Sequence, residues 1–206
     1  TKILNLDWWM DGADLNTIEF VYKHVQSTNT QTILKSSGSG AQHLWDLRVL
    51  PGTTDRAHLT SSFEFRLNNS QQGGTAIGNR GYSMSLANVE IPDGQIWNIM
   101  LQRMTGSNRG VGEGTNEYRL HASLQDGATI KTYNYATMSI SGGKVGSGTP
   151  GGLGFYANQN WMSSGSRHYQ SSSNLFVGET LSGSISQLKG WNTALSASRF
   201  RQHTLN

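Results

Sequence analysis

The stretch His58–Asn68 holds a period of two from end to end. Leu59, Ser61, Phe63, Phe65 and Leu67 take one parity, and Thr60, Ser62, Glu64, Arg66 and Asn68 take the other. A helix would mix these two sets around its circumference. A strand separates them into one dry and one wet face, as an antiparallel sheet with one solvated side requires. The same period returns at Thr17–Val25 and at His43–Leu50, where Trp45, Leu47 and Val49 oppose Asp46 and Arg48. It also marks Trp97, Ile99 and Leu101, then Tyr118, Leu120, Ala122 and Leu124, and the run Thr129–Tyr135.

Between these runs stand turn signals with a mechanism. In Pro92-Asp93-Gly94 proline presets φ and glycine accepts a positive φ. Asp126-Gly127 sits between two alternating runs, the strongest short-range sign of a hairpin. With 25 glycines and only 3 prolines, the chain is built for many tight turns rather than long helices. About a dozen short strands punctuated in this way predict an antiparallel β-sandwich. Leu153–Ala157 is read as one of them, Gln31–Lys35 as another that ends in the loop Ser36–Gly40, and Leu175–Val177 as one that feeds the last.

Gly178–Asn206 closes the chain. Leu181–Trp191 reads as a strand, with Ile185 and Trp191 an even number of residues apart and so expected on one face. A short terminal helix follows. Ser196 is placed to cap it, and Leu195 and Phe200 are spaced for a hydrophobic staple. Arg199 occupies the position where a capping box would have Glu. Arg201 and His203 lie toward the end that favours positive charge.

The segment Leu181-Ser-Gly-Ser-Ile-Ser-Gln-Leu-Lys-Gly-Trp-Asn-Thr-Ala-Leu-Ser-Ala-Ser resembles the closing part of laminin-G-like domains of the concanavalin A-like superfamily. Four earlier landmarks resemble that family in order: Thr17–Lys23, Gln31–Lys35, Pro92–Ile99 and the hairpin from Tyr118 to Gly127. Together they cover most of the chain from Thr17 onward. The resemblance implies an all-β jelly-roll sandwich with one short C-terminal helix, residues 1–206 forming a single domain. The closing segment also resembles domains inside large virion and cell-surface proteins, such as phage tails and fibres. Together with a start at Thr1, this gives the expectation that the domain is excised from a longer extracellular or virion protein.

Composition removes several function classes. Formal net charge is +3 and the basic residues are scattered, so there is no nucleic-acid footprint. The absence of cysteine excludes a disulfide, a thiol nucleophile and a thiolate metal site. No apolar run approaches the roughly 18 residues of a membrane span.

Enzymatic chemistry finds little to stand on. Glu90 and Asp93 are separated by a proline turn, and Glu113 and Glu117 flank glycine-rich sequence, so no strand carries the paired carboxylates of a glycosidase. The Arg-Glu-rich and Tyr-rich strands of alginate-lyase-like jelly rolls are also missing. Ser166 and His168 are close in sequence, but no acidic neighbour follows to complete a triad. Gly110–Gly114 is glycine-rich but lies between strands rather than at a helix start. A polysaccharide-degrading enzyme is the third reading.

The six histidines are dispersed without zinc spacing. The resemblance implies calcium at the rim of the sandwich, for which Asp46, Asp55, Asp93 and Asp126 are the candidate ligands; as turn-formers and solvated strand residues they also have ordinary explanations. For sugar binding, Trp161 and Tyr169 supply ring faces, and Asn160 and His168 supply polar groups, in a long polar stretch that no hydrophobic pattern requires to be buried; the alternative for Trp161 is that it covers the open end of the core. Trp45, Trp97 and Trp191 follow strand alternation and are expected in the core. Trp8 and Trp9 are expected to cover an edge strand or meet a neighbouring domain. The leading expectation is a non-catalytic module binding glycan or a cell-surface receptor. Its rival is a structural module that packs against neighbouring domains or subunits.

Overall fold

The computed structural model describes residues 4–6, 17–38, 42–53, 59–67, 82–105, 114–142, 173–191 and 193–205. Eleven strands and one helix are present among them. In chain order they are β1 (Leu4–Leu6), β2 (Thr17–Lys23), β3 (Gln31–Gly38), β4 (Gln42–Pro51), β5 (Thr60–Leu67) and β6 (Tyr82–Glu90). Then follow β7 (Ile96–Thr105), β8 (Gly114–Asp126), β9 (Thr129–Gly142), β10 (Ser173–Val177), β11 (Ser184–Trp191) and α1 (Ala197–Leu205). The strands form a six-stranded sheet in the order β1-β10-β3-β4-β5-β6 and a five-stranded sheet in the order β11-β2-β7-β8-β9. Every pairing is antiparallel. The fold is an all-β antiparallel sandwich with a short C-terminal helix, as the alternation predicts.

The dry faces meet between the sheets. Phe63, Phe65, Trp45 and Leu47 come from the larger sheet, and Phe20, Tyr22, Trp97 and Tyr118 from the smaller; all are at most 2 % exposed. Their rings interlock across the layer, with Phe63 edge-on to both Tyr22 (5.9 Å) and Trp97 (6.0 Å), and Phe65 stacked on Tyr118 at 5.6 Å. Each buried aromatic or large aliphatic side chain contributes roughly 1.5–3 kcal/mol.

On the wet face of the larger sheet, charge replaces apolar packing. Asp46 stands opposite Arg66 across the β4–β5 ladder, and Arg48 stands opposite Glu64. Arg66 donates through Nε to Asp46 Oδ1 at 2.9 Å and through Nη2 to Oδ2, while Arg48 pairs with Glu64.

Two expectations change. Ser36–Gly38 continues β3 instead of opening a loop, because β10 pairs with it residue by residue. Leu175–Val177 is β10 and precedes the closing strand as expected; β10 joins the larger sheet and β11 the smaller. Trp191 is not a core residue. A bulge between Ser186 and Lys189, with Gln187 at φ 52°, shifts the strand by one residue. Ile185 therefore packs on the core while Trp191 turns to the outer face. Gly183, just before β11, is required by close approach: a Cβ there would sit 2.2 Å from the Lys23 carbonyl oxygen. Trp8, Trp9 and Leu153–Ala157 lie outside the described residues.

Candidate functional site

The outer face of the five-stranded sheet carries the densest group of polar and aromatic side chains described. Thr17, Glu19, Gln102, His121 and Ser123 are all at most 5 % exposed there. They are covered because the chain folds its last residues back onto this face. Thr17 Oγ1 donates to the Thr193 carbonyl at 2.8 Å and accepts from Leu195 N at 3.3 Å, and Gln102 Nε2 donates to the Leu195 carbonyl at 2.5 Å. Ser196 then caps α1 as expected: its Oγ accepts from Arg199 N at 3.2 Å.

Helix α1 is seated at two points. Phe200 is fully buried, with ring centroids 5.8 Å from His121 and 6.4 Å from Tyr133. His203 stacks on Trp191 at 5.6 Å, and its Nδ1 lies 2.9 Å from Glu19 Oε2. The Trp191 indole N–H donates to the same carboxylate at 3.1 Å.

Beside the helix lies an aromatic platform. The β8–β9 hairpin turns through Gly127 at φ 59° and pairs Asp126 with Thr129, leaving a two-residue loop. That register places His121 opposite Tyr135 and Ser123 opposite Tyr133, all on the outer face. The Tyr135 ring is stacked on His121 (6.0 Å, 20°) and on Tyr133 (6.2 Å, 27°). Below it, His121 Nδ1 is 2.8 Å from the Tyr133 hydroxyl. The Arg201 guanidinium carbon lies 5.4 Å from the Tyr133 ring centroid, a cation–π contact. Tyr135 keeps 62 % of its surface in solvent.

Burial sets the electrostatics of this cluster. It lowers the His121 pKa to about 4, with the Arg119 charge acting in the same direction, so the imidazole is neutral at pH 7. Burial raises the Tyr133 phenol above its ordinary value, opposed by Arg201 and Arg119. His121 Nε2 and Ser123 Oγ are buried without a hydrogen-bond partner. The platform thus offers a fixed aromatic face with a guanidinium beside it.

The residues singled out in the sequence fall elsewhere. Trp161, Asn160, His168 and Tyr169 lie outside the described residues, as does Asp55. Asp46 is held by Arg66. Asp93 accepts from Gln26 N and so ties the segment after β2 to the turn before β7. Asp126 is exposed at its hairpin, where its carbonyl accepts from Thr129 Oγ1 at 3.1 Å. These three aspartates are not brought together, and no group of three or more His, Asp or Glu suited to a metal occurs among the described residues. Sequence reading missed Tyr133, Tyr135, His121 and Arg201 as a unit. The available signal was a pair of tyrosines two residues apart on a hairpin strand, which share a face by parity.

No protein-family model matches the chain, and no curated protein matches it. Among solved structures, the chain is similar to the Ruminococcus gnavus IT-sialidase CBM40 bound to alpha2,3 sialyllactose. Identity is 14 %, TM-score 0.50, and 97 % of this chain and 91 % of that one are covered. A second structure of that CBM40 gives TM-score 0.49 at the same identity and coverage. A native heptameric SAP-like pentraxin from Limulus polyphemus gives 13 % identity and TM-score 0.46, covering 93 % of this chain and 70 % of that one. At 14 % identity the likeness to the CBM40 bound to alpha2,3 sialyllactose speaks for the fold alone, a β-sandwich.

Proposed function

We propose that this chain is a laminin-G-like, non-catalytic recognition module whose ligand is a cell-surface or matrix glycan. The observation that carries this is Tyr135, an aromatic ring exposed on a rigid sheet and backed by His121 and Tyr133. A pyranose presents an apolar C–H face that stacks on such a ring, and hydroxyls that take up neighbouring polar groups. Arg201 flanks the platform and adds donors and positive charge for a glycan bearing carboxylate or sulfate; Arg119 lies nearby, paired with Glu117. By residue type, Trp161, Asn160, His168 and Tyr169 belong to the same proposal. So does the setting, one domain of a larger extracellular or virion protein such as a phage tail or fibre. Among the described residues no helix is long and apolar enough to cross a membrane.

The test is a glycan array probed with the isolated domain in calcium and in chelator. The panel includes α2,3-sialyllactose, the glycan in the similar CBM40 structure. Binding that is lost in Tyr135→Ala places the site on the platform; loss in Trp161→Ala places it in the polar stretch. Calcium dependence decides the metal, and intact glycan recovered from the array speaks against a polysaccharide-degrading enzyme.

A second reading is a structural module that packs against neighbouring subunits. It is favoured by Val25 and Ile96, 38 % and 52 % exposed at the shared end of β2 and β7. Silence across the array in both buffers would shift the account to that reading.

A further inference from the structure

On one side of the sandwich the edge strand of each sheet borders the other. These edge strands are β6 and β9, and between them runs a groove of about 340 Å³. That volume lies at the lower end of small-molecule sites, roughly 300–1,000 Å³. Both strands are interrupted where they border it. In β6, Asn88 adopts φ 53° within a bulge against β5, and its N–H donates to Ser62 Oγ at 3.1 Å. In β9, a register shift opposite Leu124 and Gln125 leaves Lys131 out of the ladder. Bulges re-aim side chains, and a non-glycine residue at positive φ persists only where its surroundings hold it.

At the turn end of the groove lies Gln95, whose N–H closes the Pro92–Gln95 turn. Its side-chain Oε1 is buried and has no hydrogen-bond partner. A buried acceptor without a donor costs about 1–3 kcal/mol, so turning this partly exposed side chain to bring its oxygen into the groove, where a ligand hydroxyl can donate to it, relieves that cost.

We propose that the β6–β9 groove is a second binding site, taking a single neutral sugar unit or a polyol of similar size. A ligand hydroxyl donates to Gln95 Oε1 once that side chain turns into the groove. The Asn88 and Asn134 amides, each both donor and acceptor, meet vicinal hydroxyls, which are likewise both. Leu124 and Pro92 give the apolar surface that the C–H face of a sugar needs. Lys131 donates from Nζ to a ligand hydroxyl oxygen, and with Glu90 also at the border the groove has no net charge and selects for hydroxyls. The site is separate from the Tyr135 platform and does not rest on it.

The experiment is an NMR titration of the isotope-labelled full chain with methyl glycosides of glucose, galactose, mannose and N-acetylglucosamine, to tens of millimolar. Side-chain amide signals of Gln95, Asn88 and Asn134 read the groove; ring signals of Tyr133 and Tyr135 read the platform separately. The expected result is saturable movement of the three amides with at least one glycoside; in Gln95→Leu the Asn88 and Asn134 amides no longer move, and in Lys131→Ala affinity falls several-fold. Should Gln95→Leu not fold, Lys131→Ala, at an exposed position, decides alone. The proposal is overturned by static amides with every glycoside, by movement that survives Gln95→Leu, or by affinity unchanged in Lys131→Ala.

Discussion

Tyr135 lies nearly flat against His121: their ring centroids are 6.0 Å apart, their planes 20° apart, and the two residues face each other across the β8–β9 ladder. The exposed ring is therefore held by a buried one, and the buried one is held by the Tyr133 hydroxyl and by Phe200 of α1. A ligand that stacks on Tyr135 meets a surface already fixed, which saves the ordering cost of a mobile side chain.

The same relationship makes stability depend on pH. His121 is neutral in the fold, its pKa lowered from 6.5 to about 4 mainly by burial, whereas the unfolded chain protonates it near 6.5. Below pH 6.5 the unfolded state binds more protons, so stability falls as pH drops from 6.5 towards 4 and is unaffected by this group above that range. The loss from this residue is on the order of 3 kcal/mol. His24, also lowered by burial, acts in the same direction. Urea unfolding at pH 7 and pH 4.5 is expected to show the drop, and His121→Gln is expected to flatten it. A wild-type midpoint equal at both pH values would contradict the assignment.

Glu19 is the anchor of the C-terminal helix. It is 5 % exposed and accepts from the Trp191 indole while contacting His203. Glu19→Ala leaves both partners short of an acceptor and is expected to cost about 1–3 kcal/mol. Glu19→Gln keeps an acceptor oxygen and is expected to recover part of that loss. Denaturant midpoints of the two variants against wild type check this.

Asp46 tests the charge ladder on the opposite face. It is 2 % exposed and bound by the Arg66 guanidinium. Asp46→Ala is expected to destabilise by about 1–3 kcal/mol, since Arg66 is partly solvated and recovers some hydration. Thermal unfolding with and without calcium is expected to show the same loss in both buffers, because the carboxylate oxygens are already occupied by guanidinium.

The helix cap is a smaller and more local case. Ser196→Ala removes the acceptor for Arg199 N and is expected to cost about 1 kcal/mol, with Ser196→Asp close to neutral. Urea midpoints measure both.

How far the sequence could be read follows from what each feature depends on. The strand positions were legible because alternation is local: Phe63 and Phe65 are buried and Glu64 and Arg66 are not, as parity dictates. The cap was legible because Ser196 bonds within four residues of itself. Trp191 was misplaced because the Gln187 bulge breaks the parity on which the reading rests, and no residue in that stretch announces a bulge. The platform was not legible, since it joins β8, β9 and α1, whose meeting is decided by the return of the chain over the outer sheet face. The strand-to-strand part of it follows from the Asp126-Gly127 hairpin; the Phe200 and Arg201 part does not.

The central claim is that Tyr135 is the stacking surface for a glycan. Its most direct test is equilibrium binding of whichever array glycan the wild-type domain selects, compared with Tyr135→Ala and Tyr135→Phe. Because the ring is 62 % exposed, Tyr135→Ala is expected to change folding stability by no more than about 0.5 kcal/mol. It is expected to weaken binding by about ten-fold or more, ~1.4 kcal/mol, while Tyr135→Phe stays within a few-fold of wild type. Unchanged affinity in a folded Tyr135→Ala domain would contradict the account and place the ligand elsewhere.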